Sequence, residues 1–439
     1  MLSVSASYFS YYILVKMNSI LFKAIEWKTI KKLTLFYLLL IPLAYFLLVA
    51  LVLVNHQTDL CQDYTSASLL IQGESAYLPN DCWGWRIIPL KHNPHPPFSI
   101  LLFIPFLAFS VSFANLAWLI ISVAFYAVTL VLLLKIHKKY SLIALALLFC
   151  FSLFWDPLRN ATLNQSMIHL LLLLITAAWY LEIKKHDKLS GVIIGIATLF
   201  RFWPILFLLP AVLAKKYNLL ISALVTISSG FLLTLILFGI KDYQIYFGII
   251  MQEESYQILN PDNISLVGLL AKLLLNFGIE LKFSLLLAKL SGFAIFSCLL
   301  CSLFFKNAKY MGSQKIYTLT QSIILNMHII IFPVIWGWGL VIYLVIYAMC
   351  FYVLKAIPKP HKSWWLTFGT SVFFLVGLKI YVPRYNSADK SISLFDYLHT
   401  IDIHAITALI GVSLLLISQF RLLKSLKKLY AVHTMSQKI

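Results

Sequence analysis

Two carboxylates four positions apart, Asp59 and Asp63, lie in the stretch TDLCQDYTSASLLIQGESAYLP (58–79), directly after an apolar run that ends near Val54. Other groups able to do polar chemistry are scattered along the chain. They are His95 in NPHPP (93–97), Arg201 in LFRFWP (199–204), the segment SYQILNPDNISLVGLL (255–270), His328 in ILNMHIIIFP (324–333) and Arg384 in YVPRYN (381–386). A carboxylate can take a proton from a hydroxyl, while guanidinium and imidazole groups hold an anionic phosphate as it leaves. Gathered around one cavity at a membrane face, these types suit a reaction on a lipid-linked phosphate. Transporter cavities hold the same types, so the residues alone leave both readings open.

The elements that must position these groups are membrane helices. The chain has 439 residues, of which 61% are hydrophobic and 12% charged. Runs such as LTLFYLLLIPLAYFLLVALVLV (33–54) are long enough to cross a hydrocarbon core of about 30 Å. No polar segment is long enough for a separate soluble domain, so residues 1–439 are expected to form a single all-α polytopic membrane domain. A net charge of +19, from 35 basic and 16 acidic residues, would suggest nucleic-acid binding in a soluble protein. Here the basic residues fall in short clusters between apolar runs, as in KTIKK (28–32), KIHKK (135–139), KAIPKPHK (355–362) and RLLKSLKK (421–428). Placed in the cytoplasm, they fix an orientation with both termini inside. Of the 16 acidic residues only Glu26, Glu182 and Asp187 lie in or beside a basic cluster, and the rest then fall outside. The charge is a topology signal, and no nucleic-acid motif accompanies it.

With that constraint several spans are irregular. Residues 55–96 form a first external loop and 241–282 a second external region. Residues 97–110 form a half-helix before a full return at 114–134. The segment LSGVIIGIATLFRFWPILFLLPAVLAKK (189–216) begins and ends beside basic clusters. About 13 residues each way cannot cross a bilayer twice at about 1.5 Å per residue, so two half-helices are expected to meet near Arg201. Further spans are expected at 218–239, 283–305, 316–335, 337–354, 364–382 and 402–420, about ten to thirteen helical segments in all. The first residues resemble an interfacial helix better than a signal peptide. Cys150, Cys298, Cys301 and Cys350 lie in apolar spans as packing residues, whereas Cys61 and Cys82 share the first external loop. A disulfide closing that loop and two unpaired thiols both remain open.

Five short motifs resemble, in order, those of polyprenol-phosphate-sugar-dependent glycosyltransferases of the membrane-embedded C-type (GT-C) fold, within family 87, the group that includes α-mannosyltransferases. An Asp after the first span leads to a Gly and a Tyr in DLCQDYTSASLLIQGESAY (59–77). HPP (95–97) stands where the family has YPP, and NQSMIHLLLLL (164–174) where it has GQ before an apolar helix. LSGVIIGIATLFRFWP (189–204) matches its Gly-rich helix and Pro, with Arg201 in place of Lys, and NISLVGLL (263–270) matches its NqSl.G stretch. LNMHI (325–329) answers the family's later His region without the flanking Trp and Tyr, and beyond about residue 340 nothing carries over.

The resemblance implies a GT-C-like helical bundle with half-helices and a structured first external loop. It implies a hexose, mannose first, moved from a polyprenyl-phosphate donor to a lipid or envelope glycan acceptor at the outer face of the inner membrane. Asp59, fourteen residues before Gly73, would be the general base, while Asp63 occupies a family aromatic position and would touch substrate or solvent. Arg201 and His328 would contact phosphate, with a structurally paired arginine and a core histidine as the alternatives. His95, Gln165, Asn263 and Arg384 are further substrate-side candidates, Gln165 and Asn263 being helix-start polar groups first. Cys61 and Cys82 would clasp the loop. No cofactor and no metal is expected, since the acids form no tight ligand cluster, and the partners are the two substrates and membrane lipids. A multi-pass transporter or lipid flippase is the competing class and predicts two repeated halves. An O-antigen-type polymerase or ligase would instead carry a long late external loop.

Overall fold

Inside a bilayer the backbone has no water to bond, so apolar runs close their hydrogen bonds within helices. The computed structural model describes residues 59–79, 93–138, 155–259, 263–357, 362–377 and 394–436, with positions 44 and 48. Among these residues the regular structure is helical, and Asn263 and Trp336 form an isolated antiparallel bridge. Four helices are long and apolar enough to span a membrane, at Val111–Ile136, Tyr217–Ile250, Leu281–Tyr310 and Ala405–Ala431. The protein is an all-α polytopic membrane protein.

In chain order the described helices are α1 (Asp59–Ile71), α2 (Pro97–Leu101), α3 (Val111–Ile136), α4 (Asp156–Leu163), α5 (Ile168–Ile183), α6 (Asp187–Phe200) and α7 (Leu209–Leu213). They continue with α8 (Tyr217–Leu259), α9 (Leu266–Asn276), α10 (Leu281–Asn307), α11 (Gln314–Asn326), α12 (His328–Ile331), α13 (Tyr343–Leu354), α14 (Lys362–Val372) and α15 (Leu394–Ser436). Within the expected structured first external loop, Asp59–Ile71 is helical. The last helix also runs well past the expected 402–420, carrying the basic tail with it. The span expected at 316–335 is broken in two at Met327.

The segment 189–216 is interrupted where length arithmetic requires it. α6 ends at Phe200, Arg201 is extended (φ −152°, ψ 138°), and Pro204 opens a 3-10 turn (Trp203–Leu208) that leads into α7. Direction follows from the packing of α6 on α8. A Cβ at Gly191 would strike the Leu219 carbonyl, one at Gly195 would come 2.7 Å from Thr226 Cβ, and Gly230 sits against Leu199. These contacts advance together along both helices, so α6 and α8 run parallel and the turn with α7 is the return between them. Gly191 and Gly195, four apart, present the small-residue face that lets two membrane helices approach closely. Gly191→Ala is expected to cost about 1–3 kcal/mol through overpacking, seen as a lower thermal midpoint of the detergent-solubilised protein. An unchanged midpoint would mean that the two helices stand further apart.

The base of this hairpin is tied by charge. Lys216 lies 2.9 Å from Asp187 and 3.6 Å from the buried Glu182, which also accepts hydrogen bonds from Gln321 at 3.1 Å and Ser190 at 3.3 Å. Lys216→Met would leave Glu182 with only neutral donors, Gln321, Ser190 and Tyr317, and no cation. The expected cost is about 1–3 kcal/mol, read as loss of monodisperse protein on heating; a variant as heat-resistant as the parent would refute the tie.

Of the described helices that finish in a left-handed residue, three do so on lysine: Lys138 (φ 54°) after α3, Lys185 (φ 64°) after α5 and Lys215 (φ 54°) after α7. Glycine is usual there, and a cation offsets that cost by complementing the helix C-terminus. Trp118 of α3 donates to the Gln165 carbonyl just before α5, so α3 and α5 start together and their lysine ends lie at the same end. The Glu182–Lys216 tie places Lys215 there too.

α8 is two helices joined at Gly239, whose backbone (φ 76°, ψ 166°) is left-handed and extended, open to glycine at little cost. The part before Gly239 packs on α6, and the part after it meets the segment following α1 through Asp242 and Tyr246.

Candidate active site

α1 starts beside the α4–α5 junction, where the Asp59 amide donates to the Asn164 carbonyl at 3.0 Å. A spacing of four puts Asp59 and Asp63 on one face of the helix, one turn apart. Their surroundings differ. Asp59 is half-buried in the first turn of the helix. Asp63 is 1% exposed and fully engaged.

Its partner is His95. The Nδ1 atom of His95 lies 2.7 Å and 2.9 Å from the two Asp63 oxygens, and the Asn93 amide donates to Asp63 Oδ1 at 3.0 Å. Asn93 also donates to Ser66 Oγ at 3.0 Å and accepts the His95 amide at 2.9 Å, forming a tight Asx turn. Pro97 then starts α2, so the chain rises away from His95 at once. From above, the Tyr77 hydroxyl donates to the His95 carbonyl at 2.9 Å. Burial raises the Tyr77 phenol far above its ordinary range, and Tyr246, Tyr243, Asp242 and Asp63 raise it further, so it remains a donor. The loop is held from the second half of α8, where Asp242 accepts the Ala76 amide at 3.2 Å and Tyr246 packs on Tyr77 at 5.4 Å.

The far side of the imidazole meets the helix break. His95 Nε2 is 2.7 Å from Nη2 of Arg201. A carboxylate only accepts and a guanidinium only donates, so the partners assign the proton of His95 to Nδ1 and leave Nε2 as acceptor. Removal from water is the largest cost to the Arg201 charge, and Asp63, then Asp59, act back in its favour. The structure therefore brings Asp63, His95 and Arg201 into direct contact and Asp59 into the same field.

His328 stands nearby through an aromatic neighbour. Its ring is 5.8 Å from that of Trp203, two residues beyond Arg201, and 6.3 Å from Tyr343. Its Nδ1 faces the Leu325 carbonyl, so in the neutral ring Nε2 carries the lone pair. Contact with a phosphate oxygen would require a second proton there. The Tyr343 hydroxyl is buried with no hydrogen-bond partner among the described residues.

Two candidates are occupied by backbone. Gln165 donates to the Asn115 carbonyl at 2.9 Å from a left-handed conformation (φ 54°), fastening the α4–α5 turn to α3. Asn263 donates to the carbonyls of Ile258 (3.0 Å) and Pro333 (2.8 Å) and accepts from the amides of Ser265 (3.1 Å) and Ile335 (2.9 Å). It stitches the start of α9 to the chain that follows α12. Arg384 and Cys82 lie outside the described residues. Cys61 is disulfide-bonded. Among the described residues no group of three or more His, Cys, Asp or Glu is arranged to hold a metal ion.

Sequence reasoning did not find Asn93, Ser66 or Asp242. Asn-Pro-His is itself an Asx-turn signal, whereas nothing local links Asp242 to Ala76, 166 residues away.

No curated protein and no solved structure matches the chain. A family model does, over residues 93–378, a range that takes in His95, Arg201, the Gly191 and Gly195 packing face, Asn263 and His328. The match covers well over half of the chain, and with the helical membrane architecture it establishes that the protein belongs to glycosyltransferase family 87.

Proposed function

We propose that the protein transfers a hexose, mannose first, from a polyprenyl-phosphate donor to a hydroxyl of a lipid or envelope glycan acceptor, within a GT-C-type bundle. The observation that carries this reading is the placement of Asp59, part-exposed, in the field of a part-buried arginine at a helix break. Asp59 takes the acceptor hydroxyl proton. The freed oxygen attacks the sugar C1, the bond from C1 to the phosphate oxygen breaks with inversion, and polyprenyl phosphate leaves with the bonding pair. Arg201 holds the growing phosphate charge, and His328, beside Trp203, borders the same phosphate. The site lies at the end of the bundle away from Lys138, Lys185 and Lys215, so the positive-inside rule turns it outward, across the inner membrane from the cytoplasm. Cys61 and Cys82 would clasp the segment that covers it.

The test is a transfer assay with purified protein, a radiolabelled polyprenyl-phosphate hexose and mixed envelope acceptors. Label appearing in an acceptor is the expected result. Absence of transfer with every hexose donor, alongside donor flux across sealed vesicles, would replace the enzyme with a transporter.

A further inference from the structure

Resting on that reading of Arg201 as the phosphate ligand, we propose that Asp63 and His95 form a positioning relay that aims the guanidinium at the donor phosphate. An arginine offers five N–H donors in a planar fork, and its direction decides whether two of them can meet one phosphate. Arg201 follows the last turn of α6 in extended backbone, so the helix does not fix its side chain. His95 supplies the fixed point. Asp63 engages Nδ1 with both oxygens, Asn93 anchors the carboxylate, and Tyr77 and Asn93 hold the His95 backbone on either side. With the ring so fixed, Nε2 takes one N–H from Nη2, and among the described residues the other guanidinium donors meet no further partner.

Asp63, His95 and Arg201 are hydrogen-bonded in sequence. A lysine ammonium is a point charge that needs no aiming; a guanidinium gains from a rigid acceptor behind it.

The experiment measures binding of a polyprenyl monophosphate to the purified full-length protein in neutral-lipid nanodiscs, with the unphosphorylated polyprenol as control. Arg201→Ala is expected to weaken phosphate-dependent binding about tenfold or more. His95→Phe should weaken it to a similar degree, and the double variant Arg201→Ala/His95→Phe no further. His95→Gln, whose carbonyl can reach the Nε2 position and accept from Arg201, should stay within about threefold of wild type. A purely structural role for His95 would make both His95 variants weak in proportion to lost thermal stability, and additive with Arg201→Ala. That additivity, or wild-type binding by His95→Phe, overturns the relay while leaving the phosphate reading intact. Wild-type binding by Arg201→Ala overturns the phosphate reading itself.

Discussion

Asp59→Asn is expected to lower turnover by about 100- to 10,000-fold, the range a positioned general base contributes. The substitution keeps the size of the side chain and its place in the first turn of α1, and the Asp59 amide still donates to the Asn164 carbonyl. An amide cannot take up the acceptor proton at neutral pH, so the chemical step loses its base. Donor binding should hold or tighten slightly, because one of the two anionic neighbours of Arg201 is gone and a phosphate meets less competition. The measurement is single-turnover transfer alongside donor Kd. Turnover within about threefold of wild type would remove Asp59 from the chemistry. Asp63→Asn is the informative companion, since Asp63 is sealed under His95 and should act on donor affinity before it acts on the proton.

Arg201→Ala should reduce kcat/KM for the donor by about 100- to 1,000-fold, the cost of losing one preorganised donor to a developing oxyanion. A phosphodiester carries one negative charge and the departing monoester gains more, so the guanidinium binds the transition state better than the substrate and kcat falls along with affinity. Arg201→Lys keeps the charge but has to share a compact ammonium between His95 Nε2 and the phosphate, and should recover activity to within about tenfold. Equal rates for the alanine and wild-type proteins across donor concentrations would exclude Arg201 from the phosphate site.

The helix break at Arg201 was legible because a short apolar run flanked by like charge has only one solution in a bilayer. The pairing of Asp63 with His95 was not. They stand 32 residues apart, and which of two acids on one helix face turns inward is decided by what covers it, here the Asn93 turn. The resemblance implied Asp59 rather than Asp63 as base; what the structure adds is that Asp63 already has a partner in His95. Gln165 and Asn263 were readable as helix-start polar groups, yet their targets are carbonyls on distant elements that no local pattern announces. The helix at Asp59–Ile71 went unread because Asp, Gln, Thr and Ser dilute its apolar face, which closes only on packing.

The break at Gly239 sets a phase. Before it, α8 is held in register by Leu219, Thr226 and Gly230 against α6; after it, Asp242 reaches the Ala76 amide. One residue inserted between Gly230 and Gly239 would turn everything downstream by about 100° and advance it by about 1.5 Å. Asp242 would then face away from Ala76, and the cover over Tyr77 and His95 would come loose although no residue of the site had changed. The number of residues between two glycines is therefore part of the architecture of the proposed site, and length variation there should be far less tolerated than side-chain variation on the same turns.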